Sequence, residues 1–129
     1  MTGSKRIIHT TEAPSPIGPY SQAVAAGDFI FLSGQIAIDP KTSKMIEGNA
    51  SEQTRQIMEN LKAVLAAANS DFGHVAKATI FVTDMGDFHA VNEVYKTYFD
   101  ASTSPARAVL QVAALPAGAN VEIEMVAQK

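Results

Sequence analysis

The sequence predicts an α+β fold: one mixed sheet of about six strands with two helices packed on one face. Three observations predict it. Two stretches carry apolar residues at helical spacing, and a run of strand character separates them. Strand-like runs come in pairs before the first helix and after the second. Each pair is joined by a turn signal, Gly27-Asp28 in the first and LPAGA in the last. The 129 residues fit one domain spanning 1–129, with no internal repeat and no linker.

Arg6–His9 reads as a short first strand. Residues 10–19, TTEAPSPIGP, hold three prolines and a glycine and read as an irregular approach. YSQAVAAGDFIFLSGQIAI follows as two strands, Tyr20–Ala26 and Phe29–Ile38. Pro40 ends the second, and 39–49 read as loop. Ile57, Met58, Leu61, Val64, Leu65 and Ala68 then recur in steps of three and four, which makes one helical stripe. Gln53, Arg55, Gln56, Glu59 and Lys62 fall on its other faces. Asn49 or Ser51 caps its start, and Asn69, Ser70 and Gly73 supply its exit. VAKATIFVT, 75–83, alternates as a strand, with Ala76, Ala78, Ile80 and Val82 on one face. The second helix spans about 87–99. Asp84 or Asp87 caps it, and Val91, Val94, Tyr95 and Tyr98 form its buried stripe. Residues 106–114 and 120–127 close the sheet.

Composition removes several function classes. The chain is 47% hydrophobic and 18% charged, enough for a core and unlike a disordered segment. With no cysteine it has no disulfide, no thiolate metal site and no cysteine nucleophile. His9, His74 and His89 have no metal-ligand spacing, so no metal is expected. The net charge is −3 and the ten basic residues are scattered, which gives no footprint for nucleic acid. The start MTGSKRIIHTT has too little apolar length for a signal peptide and lacks the Arg-rich character of a transit peptide, so a cytoplasmic location is the default, a mitochondrial pool aside.

The stretch SPARAVLQVAAL sets a lone guanidinium, Arg107, at the head of an apolar run. Arginine stays charged at any workable pH, so it either reaches solvent or holds an anion. Alternation puts Arg107, Val109 and Gln111 on one face of that strand, and Glu122 and Glu124 on one face of the last. Two readings stand. Arg107 pairs with a glutamate across the sheet, or Arg107 and a nearby glutamate form an anion site. Ser33-Gly34-Gln35 interrupts an apolar strand, which marks a bulge or a close backbone approach. Tyr20 at the mouth of a strand reads as half-buried packing, and Asn92 as a solvated helix residue. Asp84 and Asp87 are explained as caps, and His74 and His89 as surface residues.

The segments IGPYSQAV, FLSGQI, VNEVYKTYF, PARAVLQVAALP and VEIEMVA, in this order and spacing, resemble the RidA (YjgF) family of 2-iminobutanoate/2-iminopropanoate deaminases. The resemblance runs from about Pro16 to Ala127. It implies a chorismate-mutase-like, RidA-like fold and a homotrimer with a central barrel and clefts between subunits. It implies hydrolysis of the reactive imines and enamines made by pyridoxal-phosphate-dependent dehydratases, giving 2-oxo acids and ammonia without a cofactor. Arg107 stands where the family binds the substrate carboxylate, Glu122 where it positions the attacking water, and Tyr20 where it orients substrate. Ser33, Gly34 and Asn92 match positions lining the cleft. Val109 stands where many members carry a cysteine, so only its backbone is available to a substrate. On this reading Glu122 lies near Arg107 and stays ionised. The partners implied are small 2-imino and 2-oxo acids and other copies of the chain; no membrane is implied. Two rival readings are a ribonuclease or translation inhibitor, against which the acidic balance argues, and a 2-oxo-acid-binding or chaperone-like trimer.

Overall fold

Period-two runs need a sheet, and period-3.6 runs need a surface to cover; the chain supplies each to the other. The structure, a computed structural model, describes residues 4–129. The chain runs β1 (Arg6–Ile8), β2 (Ala23–Ala26), β3 (Phe29–Gln35), β4 (Ile38–Asp39), β5 (Lys44–Met45), α1 (Ala50–Ala67), β6 (Val75–Val82), α2 (Phe88–Tyr95), β7 (Ala106–Gln111) and β8 (Val121–Gln128). Six strands form one sheet in the order β1-β2-β3-β8-β6-β7, and β4 pairs with β5 in a small separate ribbon. The β6–β7 pair is parallel, because α2 crosses over between its strands, and the other pairs are antiparallel. The expected mixed sheet of six strands with two helices is the observed one.

Alternation sorts each strand into two faces. Ile30, Leu32, Ala78, Ile80, Val82, Val121, Ile123 and Met125 are buried against Ile57, Met58, Leu61, Val64, Leu65 and Val91 of the helices. The opposite face keeps Ile7, Phe29, Phe31 and Leu110 between 42% and 63% exposed. Four large apolar side chains this exposed on one sheet face are unusual for an isolated chain.

Local chemistry fixes the ends. Gly27 turns the β2–β3 hairpin in the left-handed region, φ 59°, where a side chain is strained. Asn49, and not Ser51, caps α1. Its Oδ1 accepts from the Glu52 N–H at 3.0 Å, and the Glu52 carboxylate accepts from the Asn49 N–H at 3.0 Å, a capping box. Asn69 leaves α1 at φ 58°, with Asn69 N–H bonded to Ala66 O and Ser70 N–H to Leu65 O, a Schellman exit. Among the described residues no helix is long and apolar enough to cross a membrane.

Several sequence expectations need correction. The first predicted strand of the hairpin begins at Ala23, so Tyr20 lies in the approach segment rather than in a strand. The second stops at Gln35, and the 39–49 loop contains part of the β4–β5 ribbon. Gln53, placed off the apolar stripe, is nevertheless buried: its Oε1 accepts from Asn120 N–H at 3.0 Å, tying α1 to the start of β8. Ala76 is exposed, because the register between β6 and β8 shifts between Val75 and Lys77 and moves Val75 onto the core face instead. The second helix is α-helical only to Tyr95 and tightens to a 3-10 turn over Lys96–Tyr98. Asp84 accepts from Gly86 N–H at 2.8 Å in the turn before α2, and Asp87 makes no side-chain cap bond. The last two strands end at Gln111 and Gln128 rather than at 114 and 127.

Candidate functional site

Arg107 sits on β7, an edge strand, in register with Ala78 of β6. Parallel partners share a face, so the guanidinium leaves the sheet on the helix side. There α2 presents Phe88, Asn92 and Tyr95 at i, i+4 and i+7, one stripe of the helix. Arg107 Nη1 donates to Asn92 Oδ1 at 2.7 Å. Its Cζ lies 5.0 Å from the Tyr95 ring centroid and 5.6 Å from that of Phe88, both within cation–π range. Among the described residues the ion pairs are His74–Asp71 and Lys96–Glu93, and Arg107 belongs to neither. The arginine is exposed and borders a cavity of about 670 Å³ shared with Tyr95, Phe99, Ser104 and Pro105. Tyr95 is 5% exposed, and its hydroxyl has no hydrogen-bond partner among the described residues. Burial pushes its pKa up to about 12, against the opposing pull of the Arg107 charge. Val109, two residues on, packs partly buried against the core on the same face.

Glu122 lies on β8 opposite Phe81, and Glu124 opposite Thr79. Both therefore leave the sheet on the face away from the helices. β3 carries one extra residue against β8 between Leu32 and Gln35, so Ser33-Gly34 forms a bulge. Gly34 also lets Glu122 approach. A Cβ built on it would fall 3.0 Å from the Glu122 carboxyl carbon and 3.2 Å from its Cγ. The bulge reading of this glycine holds, and the group that comes close to it is the Glu122 side chain rather than another stretch of backbone. Burial pushes the Glu122 carboxyl up from the ordinary glutamate value, and the neighbouring Glu124 charge adds to the shift. A cavity of about 690 Å³ opens here, lined by Ser15, Ile17, Tyr20, Ser33, Gly34, Pro116, Glu122 and Glu124 among others. Tyr20 is 52% exposed, and its hydroxyl accepts from Ile17 N–H at 3.3 Å. The Ser33 hydroxyl is occupied, donating to Ser21 O at 2.6 Å.

Sequence reasoning missed Gln22. Its buried amide donates to Thr10 O, Ala13 O and Pro14 O and accepts from Thr10 N–H, at 2.7 to 3.3 Å, pinning the proline-rich approach beside the cavity. Tyr20, Ser33, Gly34 and Glu122 thus come together, and Arg107, Val109 and Asn92 form a second group. One chain does not join the groups. β6 separates β7 from β8, so the two strands lie about 10 Å apart, and the side chains leave opposite faces. The cross-sheet ion pair between Arg107 and a glutamate is not made. Nor does Arg107 hold Glu122 ionised within the chain; desolvation works the other way.

Residues 10–129 match the family model described as Endoribonuclease L-PSP. The chain is 55% identical to Protein DfrA of Myxococcus xanthus over 126 residues, covering 96% of this chain and 95% of that protein. It is 50% identical over 123 residues to the Mus musculus protein named 2-iminobutanoate/2-iminopropanoate deaminase, covering 95% and 90%. Among solved structures, E. coli TdcF with bound serine matches it with a TM-score of 0.90 at 42% identity, covering 96% and 98%.

Proposed function

The chain belongs to the RidA (YjgF) family, and we propose that it hydrolyses 2-imino acids such as 2-iminobutanoate and 2-iminopropanoate to 2-oxo acids and ammonia. The observation that carries this reading is an arginine held, among the described residues, by neutral groups alone. Asn92 Oδ1 and two aromatic rings fix the guanidinium and leave its charge uncancelled. Such a fork suits a planar carboxylate, the group every 2-imino acid carries. A relative with bound serine supports a ligand of this size and type.

The second group supplies the chemistry. An iminium carbon is already electrophilic, so hydrolysis needs a placed water and a proton acceptor. Glu122 takes a proton from water as the water oxygen bonds to the imine carbon. It returns that proton to nitrogen and then takes the hydroxyl proton as the carbonyl forms and the carbon–nitrogen bond breaks; ammonia leaves and carries that last proton away as ammonium. A carboxyl whose proton affinity is raised by burial suits a group that must first accept and then donate. Tyr20 closes the pocket beside it.

Because one chain keeps Arg107 and Glu122 on opposite faces, the complete site takes two copies, one giving each group. The apolar open face of the sheet, with Ile7, Phe29, Phe31 and Leu110 exposed, is the surface that copies bury in a homotrimer with clefts between subunits. A ribonuclease reading has less support, since the chain is net −3 with scattered basic residues. The test is a coupled assay in which a threonine dehydratase generates 2-iminobutanoate and 2-oxobutanoate release is timed. Faster release with the protein present is expected. Binding of 2-oxobutanoate with no acceleration would make the protein a ligand-binding trimer instead.

A further inference from the structure

We infer that Asn92 is a positioning residue whose neutrality matters: it orients the Arg107 guanidinium without cancelling its charge. This rests on the carboxylate-binding reading of Arg107. The role stands beside the expectation that Asn92 lines the substrate cleft: its Oδ1 accepts from Arg107 Nη1 at 2.7 Å, and its Nδ2 donors are not part of that bond.

The stripe Phe88, Asn92, Tyr95 has a consistent character. Two ring faces hold the guanidinium plane, and one amide oxygen holds one N–H. Every contact orients, and none neutralises. The charged groups near Asn92 on α2 are Glu93 and Lys96, which bond each other at 2.8 Å, and the exposed His89. On β6, Lys77 pairs in register with Ala106 and so leaves the sheet on the face away from Arg107. An aspartate at position 92 would fit the same space and bond more strongly, because a charge-assisted hydrogen bond is about twice as strong as a neutral one. It would also occupy the fork with an internal anion. Stability favours aspartate here and anion binding favours asparagine, so the residue present reports which demand prevails.

That opposition gives the test. Asn92→Asp, Asn92→Ala and the parent protein are compared by thermal melting and by calorimetric binding of 2-oxobutanoate. A residue that only supports the fold gives the same order in both measurements, with alanine worst. The inference predicts that the orders cross. Melting should rank aspartate at or above the parent and alanine below it. Affinity should fall roughly tenfold in the alanine variant and about a hundredfold or more in the aspartate variant, since like charges brought together are strongly penalised. In steady-state turnover the alanine variant should show the loss in KM, with kcat within a few-fold, because the Glu122 group is untouched. An aspartate variant that binds 2-oxobutanoate as tightly as the parent overturns this inference alone. A parent protein that binds no 2-oxobutanoate overturns the carboxylate-binding reading and the inference with it.

Discussion

Arg107 and Glu122 stand two strands apart in one sheet, and their surroundings treat charge in opposite ways. The Arg107 side offers an amide oxygen and two rings to a cation that cannot lose its proton. The Glu122 side offers desolvation and a second carboxylate, Glu124, to a group that can. The first arrangement leaves a fixed charge uncancelled, as the proposed carboxylate binding requires. The second raises the proton affinity of its carboxyl, as the proposed proton exchange requires. On the proposed reading, these two half-sites, separated by the sheet itself, are each incomplete for hydrolysis, and each supplies what the other lacks.

The largest expected effect breaks the cation side. Arg107→Lys should be nearly as damaging as Arg107→Ala, because lysine keeps the charge but loses the planar fork. Losing a charge-assisted contact of this type costs about 2–5 kcal/mol, or roughly 30- to several-thousand-fold in kcat/KM. Near-full activity of the lysine variant removes the fork from the mechanism.

On the other side, Glu122→Gln should lower kcat by roughly a hundredfold or more while 2-oxobutanoate still binds. The same variant has a stability signature. A raised pKa means that folding favours the protonated carboxyl. Its stabilising contribution is present below the unfolded pKa and is lost as pH rises through the folded one. The Glu122→Gln substitution should therefore raise the melting temperature at neutral pH and not at about pH 4, the ordinary glutamate range. Glu124→Gln is the control: kcat changes little, and the acid limb of the pH–rate profile moves to lower pH, because the charge that raises Glu122 is gone. If Glu124→Gln is the slower enzyme, the roles of the two carboxylates are exchanged.

Gly34→Ala sharpens the same side without touching a titratable group. The added Cβ must displace the Glu122 carboxylate, a flexible tip that can move, so the fold should survive. A misplacement of about 1 Å costs on the order of a hundredfold in rate. Unchanged kcat with a folded protein means that the carboxylate position is not critical. The smallest effect belongs to Tyr95→Phe. A buried hydroxyl without a partner costs free energy, so its removal should raise stability by about 1 kcal/mol in denaturant unfolding. A loss of that size instead would reveal a partner for the hydroxyl.

Much of this architecture is legible in the sequence. Steps of three and four predict α1, and Asn49 is one of the two caps the sequence offers for it; the structure makes it the cap, with Glu52 as its reciprocal partner. Gly34 announces its bulge by interrupting an apolar strand. The relation between the half-sites is not legible. Alternation shows that Arg107 shares a face with Val109, and Glu122 with Glu124. Which face of one strand continues which face of the next depends on register, and register arises from pairing, not from either strand alone. The same limit hides the β6 bulge at Ala76. Gln22 and Gln53 escape notice because composition marks glutamine as solvated, while their burial rests on backbone groups brought close only by the fold. The spacing of Phe88, Asn92 and Tyr95 is visible in FHAVNEVY; that it faces Arg107 is not.

On the proposed reading the complete site takes Arg107 from one copy and Glu122 from another, which complementation can test. Arg107→Ala and Glu122→Gln chains are each assayed alone, then co-expressed, purified as mixed oligomers and assayed for 2-iminobutanoate hydrolysis. Random mixing in a cyclic trimer with each cleft shared by two neighbours rebuilds about a quarter of the clefts. Near-background turnover is expected for each variant alone and about a quarter of parental turnover for the mixture. A mixed oligomer no more active than the two variants measured separately would contradict that reading, because a site contained within one chain cannot be rebuilt by mixing.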